Sequence, residues 1–171
     1  MIKQTKAMKK LSFTAAIFVC ILFLSVETPG QTLTSSLDQL KLMEQFLGTW
    51  QLTTSSDTII VEFQKYGKAF VENDYSVKNG KKEWGSIWTY GFAPDEGKFK
   101  IFAVMLTGDY LTIIGSFTSE KKWVQEIVQN FNPEKVLMRG EFVFDSPSTA
   151  TATSFNSEGV KTEEYKFVKI K

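Results

Sequence analysis

From residue 48 onward the chain is a nearly unbroken succession of short segments with period-two alternation, interrupted by no long helix. Ten such segments are read as strands, near 49–55, 57–65, 68–77, 82–92, 98–105, 110–118, 122–131, 135–144, 148–155 and 160–170. Consecutive strands joined by short loops predict an all-β, up-and-down antiparallel meander. Such a meander of about eight to ten strands removes its exposed edges by closing into a barrel. Gly48-Thr49-Trp50 stands at its head, where a glycine and a nearby tryptophan suit a barrel closing on its own core.

The punctuation between strands has physical causes. Asn79-Gly80 favours a type I′ hairpin turn, because both residues tolerate positive φ. Pro94-Asp95-Glu96-Gly97, Thr107-Gly108-Asp109, Asn132-Pro133-Glu134 and Ser157-Glu158-Gly159 are turn compositions. Pro94, Pro133 and Pro147 are expected only in turns, since proline cannot donate to a ladder. Gly85, Gly91, Gly115 and Gly140 fall inside strands, where a coiled barrel bends and neighbours approach closely.

Ahead of the strands lie two further segments. Lys3, Lys6, Lys9 and Lys10 form a basic region, Leu11 to Val26 carries no charge, and Thr28-Pro29-Gly30 supplies small residues. This pattern predicts a signal peptide over 1–30, cleaved before Gln31, for a secreted or periplasmic protein. The apolar stretch is short for a membrane-spanning helix, which needs about 20 residues. Membrane contact is therefore expected only transiently, during export. Cys20 sits inside this stretch behind bulky Phe18 and Val19, so it reads as part of the apolar region and not as a lipid-attachment site. Residues 31–47 are expected to form a helical plug over one barrel end, leaving 48–171 as the barrel. Ser35 or Ser36 can cap that helix, and Leu37, Leu40, Met43 and Phe46-Leu47 give it one apolar stripe.

Removing residues 1–30 takes four of 20 basic residues and one of 19 acidic ones, leaving 16 against 18 and a net charge of −2. Nucleic acid is accordingly not an expected partner. The remaining chain has no cysteine and no histidine. That excludes a Ser-His-Asp triad, a cysteine nucleophile and a conventional zinc or haem site. No catalytic residue, metal or cofactor is assigned, and an enzyme is not expected. Acid–base work by a buried tyrosine and carboxylate stays open, for instance Tyr90 with Glu126.

Strand parity selects the candidate ligand-binding residues. Trp84, Ser86, Trp88, Tyr90 and Phe92 share one face of the fourth strand. Val136, Met138, Gly140, Phe142 and Phe144 share one face of the eighth, and Phe99, Ile101, Ala103 and Met105 supply a matching apolar face. Trp84, Ser86, Trp88, Tyr90, Phe92, Met105, Met138, Phe142 and Phe144 therefore line either a cavity or a filled core; small Ser86 leaves room, and a barrel of eight strands or more can hold a ligand. Arg139, the one arginine, could receive a carboxylate inside the barrel, but parity favours an outward pairing with Glu141.

Phe46-Leu47-Gly48-Thr49-Trp50-Gln51-Leu52, followed by this meander, resembles the lipocalin and calycin group, and most of all the lipocalin-like domains of secreted bacterial proteins. The resemblance implies a barrel cavity for small hydrophobic molecules, with Gly48 and Trp50 structural at its base. The same opening resembles fatty-acid-binding proteins, but only Ser55-Ser56-Asp57 stands where they carry a helical lid, and Arg139 is followed by Gly140-Glu141 where they carry arginine-x-tyrosine. Three readings follow: a monomeric carrier of a small hydrophobic molecule, a filled barrel serving as an envelope interaction module through outward Ile87, Phe102, Val104 and Leu137, and a barrel isomerase or dehydratase marked by a buried ionisable pair.

Overall fold

The computed structural model describes residues 37–54 and 57–171. The expected signal peptide, its cleavage before Gln31 and the caps at Ser35 or Ser36 lie outside the described residues, as does the side chain of Trp84. Helix α1 spans Gln39–Met43 and runs into a 3-10 turn, Glu44–Phe46. Asp38 is its N-cap: the carboxylate accepts from Lys41 N at 3.1 Å, giving a partner to an otherwise unbonded first-turn amide.

Ten strands follow: β1 (Gly48–Thr53), β2 (Thr58–Tyr66), β3 (Ala69–Lys78), β4 (Lys81–Ala93), β5 (Lys98–Met105), β6 (Tyr110–Ser119), β7 (Lys122–Gln129), β8 (Asn132–Ser146), β9 (Thr149–Asn156) and β10 (Lys161–Lys169). Each pairs antiparallel with its neighbours in sequence, and β1 pairs with β10 to close the barrel. Asn79 and Gly80 take φ values of 51° and 72°, as their hairpin turn requires.

Two expectations fail at one loop. Asn132-Pro133-Glu134 is not a turn but the start of β8; the turn falls on Asn130 and Phe131, both with positive φ. Pro133 is tolerated in the strand because Gln129 pairs with Asn132 and Val128 with Val136, so residues 133–135 bulge out unpaired. The next irregularity, at Leu137, shifts parity: Met138 pairs with Ile127 but Val136 with Val128, so Val136 leaves the inward set. On β4 the ladder likewise skips Gly85, Ser86 pairing with Asp74 and Trp84 with Tyr75.

The core fills the plugged end. Phe70, Phe99, Ile101 and Ile113 are fully buried, and Phe46 presents its ring to Phe63, Phe117, Trp123, Phe142 and Phe144 at centroid distances from 4.9 to 6.1 Å. Polar bonds hold the plug in place. Gln39 Nε2 donates to Phe117 O at 3.0 Å while its Oε1 accepts from Phe117 N at 2.8 Å, so one amide side chain pairs with β6 as a strand would. Trp50 Nε1 donates to Phe46 O at 2.7 Å, and Lys169 Nζ donates to Gln45 O while lying 4.8 Å from the Trp50 ring.

Gly48 is fixed by two constraints at once. Its φ is 117°, and an added Cβ would stand 2.4 Å from Lys171 O, the carbonyl that accepts from Thr49 N where the barrel closes. Gly48→Ala should lower stability by about 1–3 kcal/mol through backbone strain alone. Urea midpoints of the variant and the parent check this; equal midpoints would show that the closure does not need glycine.

Candidate functional site

A cavity of about 190 Å³ lies beneath the plug, with Met43 and Phe46 among its lining residues. Aromatic side chains make most of its wall: Trp50 from β1, Phe63 from β2, Trp88 and Tyr90 from β4, Trp123 from β7 and Phe142 from β8. The space exists because one side is built small. Gly140 of β8 pairs with Ser154 of β9, and Ala152 pairs with Phe142; Gly140, Ala152 and Ser154 all line the cavity. A Cβ on Gly140 would press on Gln125 Cγ at 3.2 Å. On β6, beyond β7, Gly115 makes room in the same way, for a Cβ there would meet Trp123 Cζ2 at 2.2 Å.

The polar feature of this wall is a hydrogen-bonded chain that begins on β3. Phe70, Glu72 and Asp74 share its inward face, opposite Tyr90, Trp88 and Ser86 of β4. Tyr90 Oη donates to Glu72 Oε2, and Glu72 and Asp74 are hydrogen-bonded to each other. Ser86 Oγ donates to Asp74 Oδ2 at 2.8 Å and accepts from Trp88 Nε1 at 2.7 Å. Asp74 Oδ1 is buried without a hydrogen-bond partner. A carboxyl that keeps its proton can supply a donor, and burying two acids side by side favours one proton shared between them.

The environment drives this state. Removal from water is the largest cause raising the Glu72 carboxyl well above its ordinary 4.5, the charge of Asp74 and the bond to it add to the rise, and the Tyr90 bond opposes it. Burial also raises Asp74, against the bonds from Glu72, Ser86 and Trp88. Burial, then the charge of Glu72, pushes the Tyr90 hydroxyl well above 10.0. Across the wall, Gln125 Oε1 accepts from Trp123 Nε1 at 3.0 Å, and Gln125 itself lines the cavity.

The residues expected from sequence separate into groups. Trp88, Tyr90 and Phe142 line the cavity, and Ser86 belongs to the polar chain. Phe92 and Met105 pack against the core and Phe144 is buried within it, while Met138 faces inward opposite Ile127; none of these four lines the cavity. Tyr90 bonds Glu72 and not Glu126, whose backbone pairs with Ile114 and Arg139 one residue out of phase with cavity-lining Gln125. Arg139 points outward, bonded to Glu141 at 2.7 Å. Glu72 and Asp74 were missed because Val71-Glu72-Asn73-Asp74-Tyr75 offers no apolar alternation; their spacing of two and four from buried Phe70 was the available signal.

No family model and no curated protein matches the chain. Among solved structures it is similar to a redesigned β-barrel, mFAP1, bound to DFHBI, at 14% identity over 74% of this chain and 95% of that one, with a TM-score of 0.28. A likeness of that extent carries no fold or ligand across. The closed ten-strand meander itself supports a calycin-like fold without singling out the lipocalins.

Glu72 and Asp74 hold their proton more strongly folded than unfolded, so the folded state binds more protons as pH rises above 4.5. That contribution to stability is complete below the unfolded values and is lost as pH rises through the folded ones. The melting temperature should therefore fall between pH 5 and 8, and Glu72→Gln should flatten the fall and raise stability at the upper end. Thermal melts across that range check both; a wild-type curve that rises with pH would contradict the shared proton.

Proposed function

We propose that this chain is an exported carrier that holds one small, mainly apolar molecule in the barrel cavity. The supporting observation is the space of about 190 Å³ among Trp50, Phe63, Trp88, Tyr90, Trp123 and Phe142. A somewhat smaller apolar cavity, of about 150 Å³, already accepts benzene. Aromatic walls with a few placed polar groups are what small-molecule sites generally present. Export rests on the basic and apolar segments of residues 1–30.

The acid chain is also the mark expected of a barrel isomerase or dehydratase. Its groups are nevertheless engaged within it: Tyr90 donates to Glu72, and Glu72 and Asp74 are hydrogen-bonded to each other. Across the wall stand Gln125, which is not titratable, and Glu141, whose carboxylate is tied to Lys122 and Arg139 at 2.7 Å each. Binding without reaction is the reading these contacts favour. A second reading rests on the outer sheet face, where Ile87, Val104 and Tyr110 lie in one register row beside Phe102 and are all partly exposed. Such a patch suits an interaction module of the envelope.

Trp88 distinguishes a working cavity from a filled core. It is half-buried and packs against the core while facing the hollow. Trp88→Ala should cost less than about 1.5 kcal/mol in ligand-free denaturant unfolding, against about 3–5 kcal/mol for a large aromatic in solid packing. Binding should weaken more than folding does. Native mass spectrometry supplies the direct test: a stoichiometric small molecule on the purified protein is expected, and a clean apo mass with no tryptophan quenching by a panel of lipids and aromatics would overturn the carrier reading.

A further inference from the structure

We propose that the cavity selects a protonated amine on a compact apolar body, with the ammonium seated against the Glu72 carboxylate and the body among the aromatic rings. The inference deepens the carrier reading and rests on it. Its first ground is charge: Glu72 lines the cavity, Asp74 lies two residues along the same inward face, and no lysine or arginine lines the space. An acidic ligand such as a fatty acid would bring a second negative charge beside the first with no cation to receive it.

The second ground is the direction of the hydrogen bonds. Tyr90 Oη is used on Glu72, Trp88 Nε1 on Ser86, Ser86 Oγ on Asp74 and Trp123 Nε1 on Gln125. The donors nearest Glu72 are thus engaged, the hydroxyls of Thr153 and Ser154 lining the β9 side instead, and what Glu72 offers inward is acceptor capacity. An ammonium has three donors and no acceptor. The ring faces add a third ground, since the negative face of an aromatic ring attracts a desolvated cation. Trp50, Trp88, Tyr90 and Trp123 surround the same hollow.

Charge balances through the binding step. In the free protein Glu72 carries the proton it shares with Asp74. An arriving ammonium takes that proton's place at Glu72, the proton leaves to solvent, and the buried site keeps one net negative charge before and after. The titratable groups around Glu72 are Asp74 on its own strand and Tyr90 on β4, with Glu141 of β8, paired to Lys122 and Arg139, lining the same cavity; β2 presents Val61 and Phe63 opposite Asp74 and Glu72. The size fits a single ring with a short arm, one step above the benzene that a slightly smaller cavity holds.

The test compares three shapes of one size by isothermal titration and tryptophan fluorescence: 2-phenylethylamine, ethylbenzene and 3-phenylpropanoate. The expected order is the amine at least tenfold tighter than ethylbenzene, with 3-phenylpropanoate weakest. Amine affinity should rise with pH between 5 and 8, by up to about tenfold per unit while free Glu72 is protonated. Titration in two buffers of different ionisation enthalpy should show about one proton released per amine and none for ethylbenzene, a readout that needs no variant. Glu72→Gln should abolish the amine preference and keep ethylbenzene binding. If ethylbenzene binds and the amine binds no tighter, or the carboxylate binds best, the amine inference is overturned and the cavity reading stands. If none of the three binds, both fall.

Discussion

The whole architecture depends on one seam, where β1 meets β10. Every other strand pairs with a neighbour in sequence, so without this contact the meander would be an open sheet with two long edges. At the seam the backbone of Thr49 bonds both ways, its amide to Lys171 O at 2.9 Å and its carbonyl to Ile170 N at 2.8 Å. Trp50 and Lys169 form the next register pair, and both reach back to the 3-10 turn of the plug. Closure and plugging are therefore one local arrangement, which is why the glycine and the tryptophan sit two residues apart.

Once the seam is closed, the interior divides by residue size. Phenylalanine and isoleucine from β3, β5 and β6 fill the space near Phe99 and Ile113, where exposure is zero. Opposite them β9 offers Ala150, Ala152 and Ser154, and β8 offers Gly140 between Met138 and Phe142. Small residues on one wall facing large rings on the other leave the hollow between. The carboxyl pair lies buried at the margin of that hollow, where packing is incomplete. A dry, closed core would make such a pair costly, since unpaired buried charge is expensive. Here the groups answer one another through Tyr90, Ser86 and Trp88.

Much of this was legible in the chain before any coordinates. All ten strands, the meander, the apolar stripe of the plug and the outward Arg139–Glu141 pair follow from period-two alternation, turn chemistry and parity. Parity failed where the backbone added a residue. The bulge at Leu137 displaced Val136, and period two carries no sign of where a bulge falls. The candidate site was half legible. Aromatic Trp88, Tyr90 and Phe142 announced themselves by alternation, whereas Glu72 and Asp74 gave no signal until their strand was paired with β4. Polar residues facing inward oppose the hydrophobic pattern that sequence reading relies on, so only a register can find them.

The seam also sets an order of events. Nine of the ten pairings join strands adjacent in the chain and can form as each hairpin appears. The tenth joins the first strand to the last, so β1 waits with an unpaired edge until β10 exists. Thr49 and Lys171 are the most distant bonded pair among these ladder contacts, so of all the pairings this one closes the longest loop in sequence. Before it, Trp50 has neither its register partner on β10 nor the cation over its ring. The barrel becomes a container last of all, and the enclosed space that any ligand would enter is created by the final pairing.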